Sequence, residues 1–172
     1  GQELLIESLN ILKTNFGYKN FVAIILGSDQ GRDTYKKKLL RLVEQHRLNN
    51  EVIFLEHANS MPVAYSIANV VVSASIEPEA FGRVSVEAQS MEKPIIASNI
   101  GGSNETVVDE KTGYLFKAGD AKSLSQKILK TLTIDETQLK LIGNEGRKNI
   151  VQKFNVEKMC FSTYSEYKRL LN

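Results

Sequence analysis

The stretch NVVVSASIEPEAFGRVSVEAQSMEKPIIAS (residues 69–98) decides the fold. It opens with a valine-rich apolar run (69–75), passes through a loop into a helical pattern over 79–91, and closes with a second apolar run, KPIIAS (93–98). Short continuous apolar runs bounded by turn residues suit strands covered on both faces, as in a parallel sheet. Between them Phe81, Val84, Ala88 and Met91 fall on one side of a helix at 100° per residue. The unit therefore reads as strand, helix, strand.

The same alternation extends in both directions. FVAIILG (21–27) reads as a strand buried on both faces, EVIFL (51–55) as a short strand and SMPVAYSIA (60–68) as a short helix. Residues 2–14 place Leu4, Leu5, Ser8, Ile11 and Leu12 at helical spacing, and 32–47 do the same with Tyr35, Leu39, Leu42 and Val43. After Gly101–Gly102 comes a short helix, then Gly113 as a left-handed turn before the strand YLF. Asp120 is placed to cap the helix carrying Leu124, Ile128 and Leu132. The last third is helical over 135–153 and 156–171, the second with Val156, Cys160, Thr163, Tyr164, Tyr167 and Leu171, so Cys160 is expected in the core. The expected fold is one α/β domain over 1–172, a Rossmann-like doubly wound parallel sheet with helices on both faces and a C-terminal helical extension. Such a domain normally opens with a central strand, whereas this chain opens with a helix. The expectation is a first strand missing and a natural chain that begins earlier.

Composition narrows the function classes. The 172 residues are 42% hydrophobic and 24% charged with a net charge of +2, ordinary for a soluble globular protein and too small a charge to argue for nucleic acid. The single cysteine excludes an internal disulfide, and no apolar run approaches the roughly 18 residues of a membrane span. The start, GQELLIESLN, is amphipathic and acidic rather than a signal peptide, so a cytoplasmic location is expected.

The candidate site lies in the loop SIEPEAFG and the helix after it, where ligands of open parallel sheets bind, beyond the carboxyl ends of strands. Gly82 removes a side chain at the helix start and lets backbone N–H groups approach a phosphate or sugar oxygen. Glu87 sits at the edge of the apolar stripe, where a carboxylate needs a partner. Ribose hydroxyls would serve, and so would Arg83 at i, i+4. Glu79 and Glu87 lie roughly 12 Å apart if the whole interval is helix, beyond the two-carboxylate hydrolase spacing of about 5–9.5 Å. Glu79 as a plain loop carboxylate and Gly101–Gly102 as a plain strand-to-helix turn stay open. His46 and His57 have no Cys or His at ligand spacing, so no metal is expected. The basic run Arg32, Lys36, Lys37, Lys38 and Arg41 fits a solvated helix face or a contact with an anionic surface.

EAFGRVSVE (79–87), followed by EKPIIASNIGGSNETVVDEKTGYLFKAGDAKSL (92–124), resembles the donor-binding half of glycosyltransferase family 4, retaining enzymes of the GT-B fold that use nucleotide sugars. The pattern is matched in order at Glu79, Phe81, Gly82, Glu87, Gly101, Gly102, Glu105, Thr112, Gly113, Gly119 and Asp120, and LIESLNILK (5–13) and VIFLEHANSMPVAYSIANVVV (52–72) also fit. The resemblance implies that Glu87 holds the ribose, and that Glu79, the candidate catalytic residue, binds donor sugar and phosphate with the Phe81 and Gly82 amides. It implies that Gly101–Gly102 borders the pocket and that the segment around Phe54–His57 lies against the base. It further implies a UDP- or GDP-sugar donor, no metal or other cofactor, and transfer of a hexose-type sugar to a cell-surface glycan or lipid such as lipopolysaccharide. A peripheral contact with the cytoplasmic membrane face would follow for the full-length enzyme. The family's phosphate-clamping Arg and Lys precede the position of Gly1, and its N-terminal acceptor domain is absent, so this chain is expected to be inactive alone. Aromatics of the last helices (Phe154, Phe161, Tyr164, Tyr167) are expected to pack, some of them against that domain. The competing readings are a GT-B relative such as a nucleotide-sugar epimerase or phosphorylase, and a non-catalytic α/β binding module.

Overall fold

The computed structural model describes residues 1–28, 31, 33–56 and 58–171. Its elements run α1 (Gln2–Thr14), β1 (Ala23–Leu26), α2 (Asp33–Gln45), β2 (Val52–Leu55), α3 (Met61–Ile67), β3 (Val71–Ser73) and α4 (Arg83–Ser90). They continue with β4 (Ile95–Ser98), α5 (Ser103–Thr106), β5 (Gly113–Phe116), α6 (Ala121–Thr133), α7 (Glu136–Lys153) and α8 (Val156–Leu171). The strands are parallel, as continuous apolar runs separated by helices require. They form two ladders, β1–β2 and β3–β4–β5, with Val72 opposite Ile96 and Ile96 opposite Tyr114 in the second. Among the described residues no ladder hydrogen bond joins the two.

Side chains alternate across a strand, and here the alternation sorts the helices onto opposite faces. Ile96, Tyr114 and Phe116 pack with Leu4, Leu9 and Leu12 of α1 and Leu124 and Ile128 of α6. The same core takes in Leu39 and Val43 of α2 and Val52 of β2, so it is shared by both ladders. Ile95 and Ala97 face the other way and pack with Tyr65 of α3, Ala88 of α4 and Val107. This is the doubly wound arrangement expected from the sequence.

Four local expectations are corrected. The run 21–27 is not buried on both faces: Ala23, Ile25, Val52 and Phe54 join the core, whereas Ile24 and Ile53 are 44% and 43% exposed. Gly113 is not in a left-handed turn. It is the first residue of β5, and a Cβ there would lie 2.5 Å from the Ile95 carbonyl oxygen, so close strand approach is what demands glycine. The left-handed residue of that turn is Glu110, with φ 64°. Cys160 is exposed, because α8 buries none of its residues. Val156, Met159, Phe161, Tyr164, Tyr167, Leu170 and Leu171 are all at least 62% exposed. Finally, α4 starts at Arg83 rather than Glu79, because Gly82 adopts φ 74° and ends the loop.

Asp120 caps α6 as expected, its carboxylate accepting from the Ser123 N–H at 2.9 Å. Asp120→Ala is expected to destabilise the domain by about 1 kcal/mol. A thermal melt would then show Tm lower by about 2–4 °C.

Candidate functional site

The site is assembled from the loops that follow β3 and β4, adjacent parallel strands. Residues 74–82 leave β3, and the Ser75 hydroxyl donates to the Glu79 carboxylate, tying the loop across itself. Glu79 remains exposed on the wall of an open hollow of about 430 Å³ lined by Gly1, Ser75, Ile76, Glu77, Pro78 and Glu79.

Gly101 and Gly102 clasp this loop from the β4 side. The Gly102 N–H donates to the Glu79 carbonyl at 2.8 Å. A Cβ on Gly101 would stand 2.5 Å from the Glu79 carbonyl oxygen and 2.8 Å from its nitrogen, and one on Gly102 would stand 2.6 Å from the Phe81 carbonyl. Carbon contacts are optimal near 3.5–4.0 Å, so only glycine lets the two backbones meet. The pair is therefore more than a turn. Gly82 differs: a Cβ there would find ordinary contacts at 3.7 Å or more, and its φ of 74° is what asks for glycine. Among the described residues neither the Phe81 N–H nor the Gly82 N–H donates a hydrogen bond within the protein.

Phe81 lies outside the helix, 44% exposed, with its ring set edge-on to Phe154 at a centroid distance of 5.6 Å. Val84 is 37% exposed, so the expected stripe of Phe81, Val84, Ala88 and Met91 is corrected. The inward face is Ser85, Ala88 and Gln89. The Gln89 amide nitrogen offsets part of the cost of a polar residue there by donating to the Ser85 and Thr106 carbonyls, each at 3.0 Å.

Glu87 is half-buried and has two partners. One carboxylate oxygen accepts from Arg83 at 2.9 Å, the ion pair weighed from the sequence, and the other accepts from the Tyr65 hydroxyl at 2.9 Å. Arg83 is 84% exposed, so that pair contributes only about 0.3–0.5 kcal/mol. Tyr65 is 6% exposed; burial first, then the bond to Glu87 and its charge, push the phenol well above its ordinary pKa, so the hydroxyl stays protonated and donates. Tyr65 went unnoticed in the sequence because a tyrosine on a short amphipathic helix reads as packing. Nothing but the α3–α4 contact marks it.

The structure thus gathers Glu79, Phe81, Gly82, Gly101 and Gly102 into one loop–loop contact and sets Glu87 further along α4 with separate partners. Phe54 packs on the core, and Glu56 pairs with Lys36 at 2.8 Å, while His57 lies outside the described residues. In the basic run Lys38 pairs with Glu3 at 2.7 Å. Lys37 and Arg41 line a second hollow of about 380 Å³ on α2, and Arg32 lies outside the described residues. Chemically the site offers carboxylate acceptors and backbone N–H donors, a set suited to hydroxyls and anionic oxygens. No helix of the described residues is long and apolar enough to cross a membrane.

The comparisons with known proteins agree with this fold. The capsular polysaccharide biosynthesis glycosyltransferase CapM of Staphylococcus aureus is 32% identical over 167 residues, 97% of this chain and 42% of that protein. A glycosyltransferase crystal structure from Rickettsia africae ESF-5 superposes with a TM-score of 0.91 at 30% identity, covering 100% of this chain and 45% of the other. Anabaena Alr3699/HepE, solved in complex with UDP and glucose, superposes with a TM-score of 0.87 at 28% identity, over 98% of this chain and 45% of that one. The chain thus spans less than half the length of these relatives, and its architecture is that of a domain of a GT-B glycosyltransferase. Its residues 1–149 match the family described as Glycosyl transferases group 1, and with the fold and relatives in agreement the chain belongs to that family.

Proposed function

We propose that the chain is the donor-binding domain of a retaining family 4 glycosyltransferase, acting on a nucleoside-diphosphate sugar. The observation that carries this reading is the clasp of Gly101–Gly102 on residues 78–81, which presents Glu79 and the unbonded Phe81 and Gly82 N–H groups together beyond the ends of β3 and β4. In this reading Glu79 and those N–H groups hold the donor sugar and its phosphate, Gly101–Gly102 border the pocket, and Glu87 accepts from the ribose. The protein's contribution is then positioning and stabilisation of charge on the departing diphosphate, without a metal. The UDP complexes of HepE support a nucleotide-sugar donor. The capsular polysaccharide biosynthesis role of CapM supports a cell-surface glycan as acceptor.

The rest of the enzyme belongs to this proposal. An additional parallel strand before α1 would join the two ladders, a second domain would hold the acceptor, and that domain would cover the apolar face of α8. Alone, the chain would bind donor weakly and transfer nothing.

Ligand-observed NMR with millimolar UDP, GDP and ADP tests the site. Glu87→Ala is expected to weaken the selected nucleotide about tenfold or more, the loss of a charged hydrogen bond of about 1.5–3 kcal/mol. A non-catalytic module, or Glu87 serving only its ion pair, predicts equal binding by both proteins.

A further inference from the structure

We propose that Tyr65 is a positioning residue for ribose recognition, its hydroxyl holding the Glu87 carboxylate in the orientation that accepts from the two vicinal hydroxyls of the nucleotide. The inference rests on the ribose assignment of Glu87 made above and adds how that specificity is set.

Three observations carry it. First, the two restraints on Glu87 are unequal. Arg83 is 84% exposed, on a long mobile side chain, whereas Tyr65 is 6% exposed and packed in a core with Ala88, Ile95, Ala97 and Val107. An exposed ion pair is weak and screened by salt, and a hydrogen bond from a buried, rigid ring is neither. Second, α3 is itself anchored, because Lys93 ahead of β4 donates to the Ser66 carbonyl at 2.7 Å. Third, the acceptor capacity matches the ligand. An ionised carboxylate has about four lone-pair sites. Tyr65 takes one on one oxygen and Arg83 one on the other, so each oxygen keeps capacity for one further donor, the number that a pair of ribose hydroxyls supplies. Burial and the Glu87 charge keep the phenol protonated, so the direction of donation does not change across neutral pH.

The test takes the nucleoside diphosphate that the wild type selects, written here as UDP, and compares it with its 2′,3′-dideoxy analogue on this chain and on Tyr65→Phe, which keeps the ring and removes only the hydroxyl. The wild type is expected to prefer UDP, and Tyr65→Phe to bind UDP about fivefold more weakly while binding the dideoxy compound unchanged. An unchanged preference in Tyr65→Phe overturns the inference and leaves the ribose assignment standing. Equal weakening of both ligands assigns Tyr65 to packing alone and also overturns it. If the wild type binds both compounds equally, the ribose assignment itself fails and the inference falls with it. Should Tyr65→Phe not fold, wild-type NMR gives the same answer. The Tyr65 hydroxyl proton is expected to shift with UDP and not with dideoxy-UDP, and a resonance unmoved by UDP overturns the inference.

Discussion

Gly102→Ala is expected to yield a folded domain that binds nucleoside diphosphates at least about tenfold more weakly than the wild type. The added methyl would stand 2.6 Å from both the carbonyl carbon and the carbonyl oxygen of Phe81 and 2.7 Å from its Cα. All three are backbone atoms, so no side-chain rotation relieves the clash. Restoring a contact near 3.5 Å moves the 78–81 loop by roughly 1 Å. That movement also strains the 2.8 Å bond from the Gly102 N–H to the Glu79 carbonyl, the only link that fixes the loop from the β4 side among those described. Displacements of about 1 Å at a positioning contact cost up to roughly 10²-fold in enzymes, and hydrogen bonds to the donor phosphate would lengthen beyond their usual 2.7–3.2 Å. The effect is therefore expected in binding more than in stability. Titration with the nucleotide selected by the wild type, alongside a thermal melt, separates the two. Undiminished affinity in the variant would show that donor binding does not depend on the loop placement proposed here.

The second large effect concerns stability. Gly143→Ala is expected to destabilise the domain by about 3 kcal/mol. In a chain of this size that corresponds to a fall in Tm of roughly 6–12 °C. Gly143 lies within α7, where an alanine in open space would be favourable by about 1 kcal/mol through helix propensity alone. The sign is reversed by the neighbour. A Cβ at Gly143 would meet the Glu92 carbonyl oxygen at 2.0 Å and its carbonyl carbon at 2.8 Å. Glu92 follows the C-terminus of α4 in a left-handed conformation, φ 57°, and Arg147 of α7 donates to the Ser90 carbonyl of the same helix end. So α7 approaches to backbone contact and supplies a cation to the Ser90 carbonyl, while the carbonyls of residues 87–89 accept from the N–H groups of residues 91–93. An alanine forces the two helices apart and loosens that cap. A variant that melts at or above the wild-type temperature would mean the helices separate freely.

Much of the fold was legible because period and length are local signals. The runs 69–75 and 93–98 could be read as strands, and Asp120 as a cap, from neighbours within a turn or two. Where reading failed, the deciding contact came from far along the chain. Glycine before a strand usually makes a turn, yet at Gly113 it is Ile95 on β4 that excludes a side chain. Cys160 lies on an apolar helical stripe, which predicts the core, but a stripe says that a face wants cover, not that this chain provides it.

By itself the sequence determined the α/β class, the order of elements, the loop–helix segment that carries Glu79, Phe81, Gly82 and Glu87, and the resemblance that the family match bears out at the level of Glycosyl transferases group 1. Hydrophobic period and motif spacing are properties of contiguous residues and survive in one dimension. Only the tertiary structure decided that Gly101 and Gly102 are required by backbone contact with residues 78–81, that Ser85 and Gln89 rather than Val84 face inward on α4, and that Tyr65 holds Glu87. Each of these depends on the distance between atoms more than a dozen residues apart, or on the left-handed φ of 74° with which Gly82 starts the helix. Packing sets those quantities, and no period in the sequence encodes them.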